Sequence, residues 1–198
     1  ELPKNLNMKE APIAEPCAVA LHAVELGEKI LFKPIEQNKV LVIGAGAIGL
    51  LCGLILSKVK NCKDIVIVDP NDKRLKQSLK YLDAVGYKPD SKSIISNHFD
   101  IVFDTVGLEN TRQQAIRCIK PGGIIIHIGL TQPSGSFDFR KTTLQEITFI
   151  GTYCYTNKDF EKTLKILNNK EIGDLNWIEF RELSKGAEAF KQIHDGTC

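Results

Sequence analysis

Residues 39–49 read KVLVIGAGAIG, an apolar run that breaks into three glycines spaced G-x-G-x-x-G at Gly44, Gly46 and Gly49. A strand that is apolar without alternation is buried on both faces, and few folds let a chain turn straight out of such a strand into a helix. The helix follows at once: AIGLLCGLILSKVK (47–60) is apolar nearly all round, as a helix packed against a sheet must be. Further short runs rich in Val and Ile recur at DIVIVD (64–69), DIVFDT (100–105), GIIIHIG (123–129) and EITFIG (146–151). Between them lie helix-length segments. NDKRLKQSLKYLD (71–83) starts on a capping Asn, ENTRQQAIRCIK (109–120) stops at Pro121-Gly122-Gly123, and NKDFEKTLKILNNKE (157–171) carries apolar residues at helical spacing.

Strand and helix alternate, which predicts an α/β chain with a doubly wound parallel sheet (a Rossmann fold) of about six strands, helices on both faces and right-handed crossovers. One segment is short for what it must supply. GYKPDSKSIISNHF (86–99) has to provide a third strand and a helix before the chain returns at Asp100, so a stunted crossover is expected there. Ahead of the first strand, APIAEPCAVALHAVEL (11–26) reads as helix, with Pro16 at an early position. The expectation is a single domain over 1–198, with a leading helical segment over 1–36 and the sheet core over 37–198.

The 198 residues include 26 Lys and Arg against 24 Asp and Glu, a formal charge of +2 with no long block of one sign, which argues against a nucleic-acid groove or a polybasic membrane patch. No apolar stretch reaches the roughly eighteen residues of a membrane span, and ELPKNLNMKE lacks the order of a signal peptide, so a cytoplasmic protein is expected. The six cysteines, Cys17, Cys52, Cys62, Cys118, Cys154 and Cys198, form no C-x-x-C pair and are read as reduced core residues. The sequence opens at Glu1 and closes on HDGTC, and is expected to belong to a longer protein.

A lone G-x-G-x-x-G is a weak signal; its context makes it specific. Here it follows a strand, opens a helix, and is followed about twenty residues later by Asp69 at the tip of the next strand. Gly44 lets the chain turn out of the strand, Gly46 removes a side chain where a pyrophosphate approaches the backbone, and Gly49 lets the helix lie close on the sheet. The free amides around Ala47 and Ile48, with the positive end of the helix dipole behind them, would face the diphosphate. Asp69 would accept hydrogen bonds from the adenosine ribose hydroxyls and repel a 2′-phosphate, which predicts NAD over NADP; Lys73 and Arg74 just beyond work against that preference. At later strand ends, DTVG (104–107) and IGL (128–130) place Thr105, Val106, Gly107, Ile128, Gly129 and Leu130 where open parallel sheets bind ligands.

The pieces LPKN, EAPIAEPCAVALHAV, KVLVIGAGAIGLL, VDPNDKRL, DIVFDTVG, IKPGGIIIHIGL, GTYCYT and GAEAFKQI together resemble the cofactor-binding part of the zinc-dependent medium-chain alcohol dehydrogenases, especially the sorbitol and threonine dehydrogenase-like branch. The resemblance implies an NAD-binding domain of an oxidoreductase acting on a secondary alcohol or polyol. It also implies a zinc-carrying catalytic domain that this chain lacks, so zinc is expected in the full-length enzyme only and the 198 residues alone are expected to be inactive. In the polyol branch the carboxylate matching Glu15 lies near the zinc; here the plainer reading is a partly exposed carboxylate at a helix start. Thr152 and Tyr153 match a loop that approaches the nicotinamide. The resemblance further implies a homo-oligomer pairing through EITFIGTY or GIIIHIG.

Of the four histidines, His22, His98 and His194 read as core or surface residues, while His127 stands next to Ile128 and Gly129 near the expected nicotinamide end. Lys73, Lys76 and Lys80 share a solvated helix face. Two other readings stay open: an S-adenosylmethionine-dependent methyltransferase, which also has a glycine-rich first turn and an acidic second strand end, and a non-enzymatic NAD-sensing module.

Overall fold

The computed structural model describes residue 3 and residues 6–197; Glu1 and Cys198 lie outside them. Strand β1 (Val40–Ile43) is buried along its whole length and pairs in parallel with β2 (Ile65–Val68) on one side and β4 (Phe99–Asp104) on the other. With β3 (Val85–Tyr87), β5 (Ile119–His127) and β6 (Thr148–Gly151) the sheet has six parallel strands in the order β3-β2-β1-β4-β5-β6. The direction of winding reverses between β1 and β4, which opens a crevice at the carboxyl ends of those two strands.

The strands are largely apolar because each face of the sheet has its own core. Val40 and Val42 point into one, with Cys17, Leu21 and Val24 of α1 (Ala14–Glu28), Leu51 and Leu54 of α2 (Ala47–Leu54), and Leu164 and Leu167 of α6 (Asn157–Asn168). Leu41 and Ile43 point into the other, with Val102, Ile125 and the residues Ala115, Ile116 and Cys118 of α4 (Glu109–Cys118). Beyond Leu54 the chain continues through a π-helical turn at Ile55–Val59, so 47–59 forms one rod. α3 (Asp72–Leu79) is capped by Asn71, whose side chain accepts from the amides of Lys73 and Arg74. The remaining α-helices among the described residues are α5 (Phe139–Leu144) and α7 (Gly186–His194).

Several expectations are corrected. The third crossover has its strand but no helix: residues 88–98 form turns, and of these only Ile94 is buried. About eleven residues cannot hold two connections and a stable helix. Pro121-Gly122-Gly123 does not end a helix. α4 has already stopped at Cys118, and these residues are an excursion inside β5, which pairs Ile119 with Phe99 and then resumes with Ile124 opposite Ile101. α5 lies where no element was expected, and α6 stops at Asn168. Cys17, Cys52, Cys62 and Cys118 are buried, and burial pushes the thiols of Cys17 and Cys62 up to about 12 and about 11. Cys154, however, is exposed in the loop after β6. GIIIHIG forms β5, an interior strand covered by β6, so of the two segments only EITFIGTY lies at a sheet edge. Among the described residues no helix is long and apolar enough to cross a membrane.

Candidate functional site

The three glycines do three different jobs. Gly44 has φ +100°, and a Cβ there would meet the Thr105 hydroxyl at 2.6 Å. A Cβ on Gly49 would stand 1.8 Å from the carbonyl oxygen of Gly44, so α2 can start this close to β1 only with glycine at that point. Gly46 is different: its φ of −73° suits any residue, and a Cβ there would meet nothing within 4 Å. It is the N-cap of α2, and its bareness leaves space over the first-turn amides of Ala47 and Ile48, which have no acceptor within the helix. That space above a helix N-terminus is what a diphosphate requires.

Asp69 follows β2 directly and is only 5% exposed. Its two carboxylate oxygens accept from the backbone amides of Ala45 and Asn71, both at 2.7 Å. The carboxylate therefore ties the glycine loop to the start of α3, and each oxygen retains further acceptor capacity for a hydroxyl donor. Thr105 turns inward, its hydroxyl donating to the Ile43 carbonyl at 2.8 Å. Gly107 and Gly129 press on each other: a Cβ on Gly107 would lie 2.0 Å from the Gly129 carbonyl oxygen, so these glycines serve the contact between two loops rather than space for a ligand.

A cleft of about 1320 Å³ opens at the reversal point, with Ile43, Gly44, Val68, Pro70, Val106 and Leu108 in its wall. A second cavity of about 480 Å³ is lined by Gly129, Leu130, His127, Arg112, Phe137 and Phe149. The expected site residues are thus divided: Gly44 and Val106 border the large cleft and Gly129 and Leu130 the small cavity, while Gln132, not among those expected, borders both. Ile128 is buried beneath them, and Leu130 projects into solvent. Arg74 points elsewhere, its Nη2 donating to the Ile193 carbonyl at 2.9 Å. Glu15 is exposed in the first turn of α1. The Thr152 hydroxyl is buried without a hydrogen-bond partner, and Tyr153 is exposed. His22 is 2.8 Å from Asp159, His98 is 3.4 Å from the Lys39 ammonium, and His194 is exposed at the end of α7.

Two residues that hold the site together were not anticipated. Asp104, fully buried at the end of β4, accepts from the amides of Val106 (3.1 Å) and Gly107 (3.0 Å) and from the Thr111 hydroxyl (3.1 Å), and lies 3.2 Å from His127 Nδ1. A carboxylate that directly follows the apolar run Ile101–Phe103 of a buried strand has to find such partners, and that was the available sequence signal. Arg112 is buried too, and its guanidinium donates to the carbonyls of Gly107 (3.0 Å), Gln132 (3.2 Å) and Ser134 (2.6 Å). Between them, Asp104 and Arg112 fix the loops that leave β4 and β5.

The chain is similar to D-xylulose reductase of Saccharomyces cerevisiae, 29% identical over 205 residues, covering 97% of this chain and 56% of that protein. It is similar also to a probable D-xylulose reductase A of Aspergillus clavatus, 26% identical over 212 residues, covering 99% of this chain and 57% of the relative. The chain thus spans a little over half the length of these curated relatives. Among solved structures, acetophenone reductase from Geotrichum candidum in complex with NAD superposes with a TM-score of 0.88 at 18% identity, covering 100% of this chain and 56% of that one, a likeness of fold. The sequence model of the zinc-binding dehydrogenases matches residues 47–169, well over half of the chain, from the start of α2 to the end of α6. The chain belongs to that family.

Proposed function

We propose that these residues form the NAD-binding part of an oxidoreductase that transfers hydride between NAD and a secondary alcohol or polyol. The observation that carries this is Gly46, open above the amides of Ala47 and Ile48, with the Asp69 carboxylate at the end of the neighbouring strand. The diphosphate would lie on α2, the adenosine ribose on Asp69, and the adenine in the large cleft against Val68, Pro70 and Val106. The nicotinamide would reach toward Ile128, Gly129 and Leu130. When bound, that ring supplies the hydride acceptor. The residues of this chain bind and orient it, and none is assigned a catalytic role.

The names of the matched relatives, reductases of a ketose and of an aryl ketone, support a carbonyl and alcohol couple as the substrate class. Among the described residues no group of three or more His, Cys, Asp or Glu side chains is arranged to hold a metal ion. The matched family is that of the zinc-binding dehydrogenases, and zinc belongs, in this proposal, to the full-length enzyme rather than to the residues described. Buried free thiols at Cys17, Cys52, Cys62 and Cys118 support a reducing, cytoplasmic setting. The place of β6 at the edge of the sheet, with Phe149 exposed on it, supports a homo-oligomer. The methyltransferase reading loses support because all six strands are parallel, with no antiparallel hairpin closing the sheet among the described residues.

Asp69→Ala tests the assignment. Removing the ribose acceptor and its charge should weaken NAD⁺ by roughly tenfold, the worth of a charge-assisted hydrogen bond, and should narrow the preference over NADP⁺. An unchanged ratio of the two affinities contradicts the role given to Asp69.

A further inference from the structure

α7, like the short α5, has no buried residue; Phe190 and Ile193 stand exposed along it. Its last turn and the tail just beyond it are nevertheless fastened at one point each. Arg74 Nη2 donates to the Ile193 carbonyl at 2.9 Å, and Asn71 Nδ2 donates to the Gly196 carbonyl at 2.7 Å. Gly196 itself has φ +65°, and a Cβ there would come within 3.1 Å of the Asn71 amide nitrogen, so the tail turns closely over that side chain. Both donors come from the chain directly after Asp69, and the Asn71 backbone amide is one of the two that the Asp69 carboxylate holds. The carbonyl end of α7, the negative end of its dipole, thus lies on the polar groups nearest to the expected ribose acceptor.

Arg74 is a cation at the start of α3, in the segment that directly follows Asp69. A guanidinium binds phosphate through paired N–H donors aimed at its oxygens, and here one of its two terminal nitrogens is turned to Ile193. We propose that the last turn of α7 sets cofactor choice: by holding Arg74 away from the 2′ position it leaves Asp69 unopposed there, and the site prefers NAD. Arg74 and Ile193 are then specificity residues that lie more than a hundred positions apart in sequence. This rests on the dinucleotide reading of the cleft.

The test is a set of variants measured by calorimetric titration of the full chain with NAD⁺ and NADP⁺. His194→Pro breaks the last turn of α7 and removes no buried side chain, so the sheet and the cleft stay intact. It should leave NAD⁺ affinity within about twofold and tighten NADP⁺ by about tenfold, the worth of one released charge-assisted bond. Arg74→Ala should change NADP⁺ affinity less than about twofold in the parent chain and abolish the gain in the His194→Pro background, a coupling only a shared contact produces. A second readout needs no cofactor. Arginine-specific dicarbonyl labelling followed by mass spectrometry should modify Arg74 slowly in the parent and faster in His194→Pro. The proposal is overturned if NADP⁺ affinity is unmoved while NAD⁺ still binds, if the gain survives Arg74→Ala, or if Arg74 labels equally fast in both chains. A parent chain that binds neither nucleotide overturns the dinucleotide reading as well.

Discussion

At the scale of single residues, the site shows how one residue type carries unlike physical demands. Gly49 is a packing residue, since a methyl group there would be driven into the Gly44 carbonyl. Gly49→Ala should therefore lower unfolding stability by about 1–3 kcal/mol, the usual range for forcing atoms into a packed interior, read as a fall in denaturant midpoint. Gly46 faces open space with an ordinary φ. Gly46→Ala should cost no more than about 1 kcal/mol, the difference between glycine and alanine as an N-cap, while weakening NAD⁺ binding measurably by calorimetry. If the two variants change stability alike, the division of labour between these glycines is wrong. The spacing marked all three as one motif, and only the positions of neighbouring atoms separate them. Asp69 behaves in the same way: its place at a strand end was visible in VDPNDKRL, whereas its bonds to the Ala45 and Asn71 amides depend on how two loops meet.

At the scale of elements, the link between α1 and α6 is electrostatic as well as apolar. Asp159 sits in the first turn of α6, within a capping box with Thr156, and is 2.8 Å from His22 of α1. Burial disfavours its charged form, but bonds from the Thr156 amide and hydroxyl and from His22 outweigh that and hold its carboxyl below the usual carboxylate range. A folded-state value below the unfolded one, about 3.9 for Asp, means stability that is present above the unfolded value and lost as pH falls through the folded value. Asp159→Asn should then cost about 1–2 kcal/mol at neutral pH, and the gap between it and the parent should close in acid. Urea unfolding of both proteins at neutral pH and in steps down through the carboxylate range checks this; a gap that stays constant throughout contradicts it. The elements best foreseen were those whose apolar pattern follows burial, β1, β2 and β4 together with α1 and α2; β6 was also foreseen, although its residues alternate between half-buried and exposed at the sheet edge. Those misread were set by pairing across the sheet. Pro121-Gly122-Gly123 looks like a helix stop but is carried inside β5 because Ile119 and Ile124 both find partners on β4. The third crossover lost its helix for want of length, which the sequence did show.

At the scale of the whole molecule, two halves of a parallel sheet meet at β1 and β4, and everything assigned to the cofactor stands along the carboxyl ends of the strands. The loops that leave β4 and β5 are held by buried charges, Asp104 on one side and Arg112 on the other, so the part of the cleft proposed to take the nicotinamide is built on fixed backbone. The last helix, α7, reaches back to α3 and couples two distant stretches of the sequence at the point where the ribose would bind. What this cleft takes is the central question. Its most direct test is calorimetric titration of the purified chain with NAD⁺, NADP⁺ and S-adenosylmethionine in one buffer. Saturable binding of NAD⁺, clearly weaker binding of NADP⁺ and none of S-adenosylmethionine is the expected result; preferential binding of S-adenosylmethionine, or no binding of NAD⁺, would contradict it.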